Sequence, residues 1–537
     1  MSKDPLLNNE AFMTEQPVNH NIYAHFQVRF AHGGTFIQGT DGSAHHTYAD
    51  LHHNSARYAN LLTSLGLQPG DRVIIQVDKS AECLFLYFAC LRAGLVYLPL
   101  NTAYGQDEAT YFVDNAEPAL IICTPSAAAS FQQIIATTTC QLLTLDAKGR
   151  GSLTQALAEG DFSQVFQSPP TAADDVAVIL YTSGTTGQPK GAMMTHGNLL
   201  TNTQALHQVW RWRSDDVLLH SLPIFHIHGL FVATHLAVFN ASPIILLTRF
   251  DPAEVIKQLP KATVFMGVPT HYVRLLKHGG LSPQSCRQMR LFTSGSAPLL
   301  HQTFDAFETA SGHRIVERYG MTETGITTSN PFDGHRKPGT VGRPLPGLEA
   351  RIVGDGYDDS HIDGSTNESD ESGTLNNPGA AVGTTGNLQV RGPSIFKGYW
   401  RMRDKTREEF TADGFFNTGD LAQQDADGYI AIVGRSKDMI ISGGLNVYPK
   451  EIETVLDKLP GVIESAVIGI SDDDFGEAVT AIINAAPDIE LTEIQVIDFM
   501  KLYLANFKVA KRVYFVTELP RNTMGKVQKN RLREQFS

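Results

Sequence analysis

Short apolar runs alternate with helix-length segments through the first half of this chain, and that alternation limits its fold more than any other feature. Val73-Ile74-Ile75-Gln76-Val77 reads as a buried strand. Glu82 to Gly94 reads as a helix that stops at its glycine. Leu95 to Leu98 and Ala119 to Cys123 read as further strands, and the pattern returns at Val176 to Tyr181, Ile244 to Leu247 and Thr263 to Met266. Strands and helices in alternation predict the α/β class, with layered sheets that are mostly parallel. At 537 residues the chain is too long for one core, so at least two domains are expected.

A second, smaller unit is expected from about Ile440. Pro449 to Leu459 reads as a helix, and Ala466 to Ile470, Val479 to Asn484 and Val513 to Val516 as strands. Thr492 and Gln495 have the spacing of a capping box. Ile494, Ile497, Met500 and Tyr503 are then predicted on one helical face. This is an α+β unit of about 100 residues. Between the two lies Gly354 to Gly386, rich in Asp, Ser, Thr, Asn and Gly and without Lys or Arg, which reads as a solvated acidic insertion.

Composition narrows the partners. The formal charge of −13 disfavours a general nucleic-acid binder. The five cysteines, Cys83, Cys90, Cys123, Cys140 and Cys286, are odd in number and form no C-x-x-C pair. Neither a disulfide framework nor a zinc site is expected, and a reducing cytoplasm suits them. Met1 to Gln16 is polar and the first arginine is Arg29, so neither a secretory signal nor a transit peptide is expected. Cys83 to Leu100 is the most apolar stretch, but it carries Arg92 and Gly94 and reads as a buried helix and strand, not a membrane span. The letters leave the oligomeric state open.

The strongest local signal is Tyr181-Thr182-Ser183-Gly184-Thr185-Thr186-Gly187-Gln188-Pro189-Lys190-Gly191. Its glycines let backbone amides approach a ligand closely, its hydroxyls add donors, and Lys190 adds a cation. Such a loop after a strand suits a polyphosphate. It is not the NTPase P-loop, because Pro189 precedes Lys190 and Gly191 follows it. The string resembles the phosphate-loop signature of the adenylate-forming superfamily, which includes acyl-CoA synthetases, luciferases and adenylation domains. Four later strings resemble that family's motifs in the family's order: Arg318-Tyr319-Gly320-Met321-Thr322-Glu323, Thr418-Gly419-Asp420, Gly434-Arg435-Ser436-Lys437-Asp438, and Pro520-Arg521-Asn522-Thr523-Met524-Gly525-Lys526.

The resemblance implies a large N-terminal domain over residues 1–434, with the 354–386 stretch as an insertion that departs from the family pattern. A hinge at 435–439 and a mobile C-terminal domain over 440–537 follow. The implied substrates and cofactors are ATP, Mg2+ and coenzyme A. Thr182, Ser183, Gly184, Thr185, Thr186, Gly187 and Lys190 would hold phosphates. Tyr319, Gly320, Met321 and Thr322 would line the adenine side, and Glu323 would hold Mg2+. Asp420 and Arg435 would bind the ribose. Lys526 would stabilise charge as the adenylate forms, with Lys190 and Glu323 completing the catalytic set. Lys437 would be the hinge, and Ser442, Gly443 and Gly444 would line the thiol channel. Read from the residues alone, Asp420 also fits a turn, Arg435 a surface charge, and Lys526 a solvated lysine among Lys529, Arg531 and Arg533.

The acid must be argued from the pocket. Arg318 precedes the adenine-side string. A guanidinium in a closed pocket is costly unless paired, and a second substrate carboxylate is an economical partner. Pro223 to Phe231, with His226 and His228, and Gly295-Ser296-Ala297-Pro298-Leu299 resemble family members that take malonate. The resemblance implies Arg318, His226, Ser296 and Met321 around a malonate. The reaction would pass through malonyl-adenylate and release AMP and pyrophosphate. Arg318 pairing with Glu317, the histidines as packed side chains, and Ser296 as a turn residue stay open. So do methylmalonate or another short or medium-chain acid, and a stand-alone enzyme that feeds a carrier protein.

Overall fold

The computed structural model describes residues 19–30, 33–42, 44–182, 189–354, 382–442, 445–472, 475–522 and 525–537. Two compact units emerge. One comprises residues up to Ile37, Ala44–Leu200 and Val238–Ala241; the other comprises Gln38–Ser43, Thr201–Ala237 and Ser242–Ser537.

The first unit is built on strands in the order Lys190–Thr195, Val176–Thr182, Val96–Pro99, Arg72–Gln76, Leu120–Cys123 and Gln141–Thr144. All neighbours run parallel except Val176–Thr182 with Lys190–Thr195. The apolar runs form these strands because they are covered on both faces, as parallel sheets require. The expected helix spans Ala81–Arg92, and Ser80 caps it by accepting from the Cys83 amide. Cys83 through Arg92 are all buried, which fits a helix apolar on every side. Arg92 meets its burial cost by donating to the His52 carbonyl at 2.6 Å and to Ser55 Oγ at 2.9 Å. Among the described residues no helix is long and apolar enough to cross a membrane.

The second unit carries three sheets. The first runs in the order Arg343–Pro344, Gly325–Ser329, Val316–Met321, Leu291–Ser294, Val264–Gly267, Leu218–His220 and Ile244–Leu246. Its strands are parallel from Val316–Met321 onward and antiparallel at the other edge. Leu219, Phe265, Tyr272, Phe292 and Phe307 fill its core. The second sheet is an antiparallel meander of Glu349–Val353, Gly386–Arg391, Phe416–Gln424 and Ile430–Arg435. The acidic insertion falls almost wholly outside the described residues.

The third sheet is the expected C-terminal α+β unit. Leu445–Val447, Ile440–Ser442, Gly476–Ala485 and Val462–Asp472 follow in order, with Arg512–Val516 parallel to Gly476–Ala485. Helix Pro449–Leu456 is shorter than expected, and helix Glu493–Tyr503 has the predicted capping box at Thr492 and Gln495. Only part of that apolar face is buried. Val496 and Met500 enter the core with Ile497 beside them, whereas Ile494 and Tyr503 are 71% and 64% exposed. A short helix needs only one i, i+4 pair to fill its groove, so a longer apolar stripe overstates what is buried.

Candidate active site

The strand Val316–Met321 organises the site, because consecutive side chains point to opposite faces. Tyr319 donates its hydroxyl to Asp420 on strand Phe416–Gln424. Arg435 is the cross-strand partner of Asp420 and brings Nε within 2.8 Å of its Oδ1. That N–H is not aimed at the oxygen, so the contact is an ion pair and not a hydrogen bond. Burial disfavours the Arg435 charge, but Asp420, Tyr319, Glu323 and Asp438 outweigh it and raise its pKa. A buried carboxylate held by a phenol and a guanidinium suits two ribose hydroxyls.

The next residues turn sharply. A Cβ on Gly320 would lie 2.1 Å from the Gly325 carbonyl oxygen, so glycine alone fits where this strand meets Gly325–Ser329. Thr324 Oγ1 accepts from the Met321 amide at 3.2 Å and closes the turn around half-buried Thr322. Glu323 is buried, and Tyr399 donates to its Oε1 at 3.0 Å. Among the described residues no cluster of three His, Cys, Asp or Glu could hold a metal. One carboxylate without a cage is the donor set expected for Mg2+ that arrives on nucleotide phosphates.

Arg318 lies on the other face of the same strand. It is 3% exposed, and its Nε and Nη2 have no hydrogen-bond partner among the described residues. Burial lowers its pKa to about 9, which leaves it cationic at neutral pH. A Cβ on Gly295 would sit 2.4 Å from the guanidinium carbon, so the group lies directly over that glycine. Burial and the Arg318 charge pull His226 down to about 4 and His228 well below its ordinary value. Both histidines are therefore neutral. The pairing of Arg318 with Glu317 is not what forms: Glu317 accepts instead from the Gly339 amide at 2.9 Å. Burial pushes the Glu317 carboxyl up to about 8, so it is mostly uncharged at pH 7. Ser296 is half-buried with φ of +71°, a left-handed turn straight after strand Leu291–Ser294, and Met321 is half-buried at the strand end.

Lys526 follows a tight turn. The Lys526 amide donates to Asn522 Oδ1 at 3.0 Å, and Gly525 has φ of +75° with its Cβ position 2.9 Å from Thr270 Oγ1. Solvent reaches the Lys526 side chain, yet its ammonium stands in a crowded neighbourhood that includes Arg435, Asp420, Asp438 and Lys437. Burial and the Arg435 charge lower its pKa to about 8. Lys437 sits exposed in the short turn Ser436–Asp438, and partial desolvation there lowers its pKa as well. Ser442 is buried opposite Gly476, while Gly443 and Gly444 lie outside the described residues.

In the first unit Thr182 and Lys190 face each other across antiparallel strands, so the two ends of the Ser/Thr/Gly string are held side by side. Lys190 is buried. Ser183, Gly184, Thr185, Thr186 and Gly187 lie outside the described residues.

Residues 26–400 match the AMP-binding enzyme family, and residues 451–526 match the AMP-binding enzyme C-terminal domain. The chain is an AMP-binding enzyme. It is 34% identical to the malonate–CoA ligase of Arabidopsis thaliana over 515 residues, covering 90% of this chain and 80% of that one. It is likewise 34% identical to the mitochondrial malonate–CoA ligase of Mus musculus, covering 94% and 89%. Among solved structures it resembles ATP-bound MatB from Rhodopseudomonas palustris at 47% identity and a TM-score of 0.89, covering 96% and 99%.

Three features of this AMP-binding enzyme's site escape sequence reasoning. Tyr399 holds Glu323 from 76 residues away, and no short motif links them. Gly295 is legible only as part of a loop string, not as the floor under Arg318. His228 is more deeply enclosed than His226, because the π-helical segment His228–Thr234 turns it inward while Gly229 abuts the Pro223 carbonyl. An irregular helix of this kind has no simple spacing signal.

Proposed function

We propose that this AMP-binding enzyme joins malonate to coenzyme A in two steps. A carboxylate oxygen of malonate bonds to the α-phosphorus of ATP, the bond to the β-phosphate bridge breaks, and pyrophosphate leaves. The sulfur of coenzyme A then bonds to the acyl carbon, the thiol proton is lost, and AMP leaves with the acyl-phosphate bond broken. Both reactants in the first step are anions, so positioning and charge neutralisation supply the catalysis.

The observation that carries this reading is Arg318. A buried cation whose Nε and Nη2 are unpaired among the described residues, flanked by neutral histidines, is prepared for an anion. The second carboxylate of malonate supplies that anion. His226, Ser296 and Met321 shape the same cavity. Relatives that carry the name malonate–CoA ligase support the choice of acid.

The remaining roles follow the motifs. Thr182 through Gly187 and Lys190 hold the β- and γ-phosphates, Tyr319 through Thr322 face the adenine, and Asp420 with Arg435 holds the ribose. Glu323, steadied by Tyr399, would hold Mg2+, which neutralises phosphate charge when bound. Lys526 stabilises the negative charge that builds on the α-phosphate. We place the large domain at 1–434, the hinge at 435–439 around Lys437, and the mobile domain at 440–537. Ser442, Gly443 and Gly444 line the thiol path after rotation.

Cytoplasmic placement is part of the proposal, supported by five free cysteines, four of them buried. Cell fractionation tests it, and recovery in mitochondria, where the Mus musculus relative is named, would move it.

The functional test is acid-dependent pyrophosphate release with malonate, methylmalonate, acetate and octanoate, followed by thioester formation on free coenzyme A. Malonate is expected to lead acetate and octanoate clearly. A lead for either monocarboxylate would remove Arg318 as the selector, and a need for an added carrier protein would replace coenzyme A as acceptor.

A further inference from the structure

Several side chains with unpartnered polar atoms converge on one face of the first sheet of the second unit. Arg318 Nε and Nη2 form the parallel N–H pair on one edge of the guanidinium, the edge that fits a carboxylate side-on. Neither has a hydrogen-bond partner among the described residues. The same holds for both ring nitrogens of His228 and for the Thr293 hydroxyl. His228 and Thr293 are both 0% exposed. A buried polar group without a partner weakens the folded protein, so three such side chains together call for a ligand.

Strand register places them there. Thr293 pairs with Val316, so its side chain shares the face of Val316 and of Arg318, two residues on. Gly295, two residues beyond Thr293, lies under the guanidinium. Val264 pairs with Leu218 on one side and Leu291 on the other, so His220 and Thr293, each two residues further along, also share this face. His220 Nε2 donates to the Gly229 carbonyl at 3.0 Å, and Thr234 Oγ1 donates to the same oxygen at 2.9 Å. These bonds pin the π-helical segment His228–Thr234 over the face that carries Arg318. The Pro223 carbonyl lies where a Cβ on Gly229 would sit, so the segment packs closely on its other side as well. His226 is half-buried and His228 enclosed, so His228 is the deeper of the two. Of the charges around His228, that of Arg318 bears most on it.

We propose that His228 and Thr293 join Arg318 in holding the second carboxylate of malonate, and that His228 is a residue which selects a dicarboxylate. This rests on the functional reading above. An ionised carboxylate has four acceptor sites. The Arg318 edge takes two, one on each oxygen, and the His228 N–H and the Thr293 O–H take the other two. A monocarboxylic acid leaves all of these donors buried and unpaired, which a pocket built for hydrogen bonds penalises far more than a poor fit of shape. The imidazole therefore costs the free protein stability and returns it in the complex.

The test uses the full-length protein and two readouts. One is malonate-dependent exchange of labelled pyrophosphate into ATP, giving KM for malonate and for ATP. The other is thermal unfolding, with and without malonate, in the presence of an ATP analogue blocked between the α- and β-phosphates. His228→Leu is expected to raise malonate KM about 10- to 100-fold, the worth of a hydrogen bond to a charged group, and to leave ATP KM within about twofold. Without malonate its unfolding temperature should equal or exceed that of the wild type, and the rise that malonate produces should shrink. His228→Gln, which keeps a donor and an acceptor, should recover part of the malonate affinity. Thr293→Val should raise malonate KM about 3- to 10-fold, and it is the deciding variant if His228→Leu does not fold. A malonate KM within about twofold of wild type overturns the proposal. So does a lowered unfolding temperature with malonate and ATP weakened alike, which is the signature of a packing role. A wild-type protein that shows neither malonate-dependent exchange nor stabilisation by malonate would instead overturn the functional reading.

Discussion

Two faces of one strand handle charge in opposite ways. At Tyr319 charge is paired within the protein: the phenol donates to Asp420, and Asp420 pairs with Arg435 across the sheet. One residue earlier, Arg318 is as deeply buried, its Nε and Nη2 have no hydrogen-bond partner among the described residues, and neutral imidazoles lie beside it. The first arrangement is a finished network that a ribose joins by adding hydrogen bonds. The second is an unfinished one, in which the substrate supplies the missing charge. A closed network tolerates an empty site, whereas an open one stores a desolvation cost that only a suitable ligand removes. Selectivity for the acid therefore belongs at the open face.

The largest effect should come from removing the open cation. Arg318→Ala is expected to cost malonate about 2–5 kcal/mol in kcat/KM, roughly 30- to 4,000-fold, with ATP affinity little changed. Steady-state kinetics with both substrates measure it. A parallel loss in ATP affinity would erase the distinction between the two faces.

Lys526 probes the closed face. Lys526→Ala should lower pyrophosphate exchange by about 10²–10³-fold while thioester formation from supplied adenylate changes far less. Its pKa of about 8 carries a sign. The ammonium is protonated below that value and neutral above it, so kcat/KM for adenylation should fall as pH rises through about 8. Lys526→Arg, charged throughout, should lose that alkaline limb. A limb unchanged in Lys526→Arg would assign the titration to another group.

Gly295→Ala sharpens the contrast at smaller scale. The new methyl would meet the Arg318 guanidinium, so overpacking of about 1–3 kcal/mol should fall on malonate KM and spare ATP. The smallest effect belongs to Glu317→Gln. Glu317 accepts from Gly339 on the far face and is pushed up to about 8, so it is already mostly neutral and its amide replacement should alter malonate kcat/KM by less than about twofold. A large loss would mean that Glu317 balances Arg318 after all.

The letters alone carried the α/β alternation, the C-terminal α+β unit, the phosphate-loop string and the order of five motifs. Those features are local: a strand, a cap or a glycine turn is dictated by neighbours a few residues away. Tertiary structure decided what lies far apart in sequence yet meets in space. It put Tyr399 on Glu323, Gly295 beneath Arg318 and Arg533 on Asp438. It also left Ile494 and Tyr503 exposed on a helical face that periodicity marks as apolar. Above all it decided which of two adjacent charges is paired. Glu317 and Arg318 are neighbours in the chain, but a strand sends them to opposite faces, so only the fold leaves the arginine for a substrate to complete.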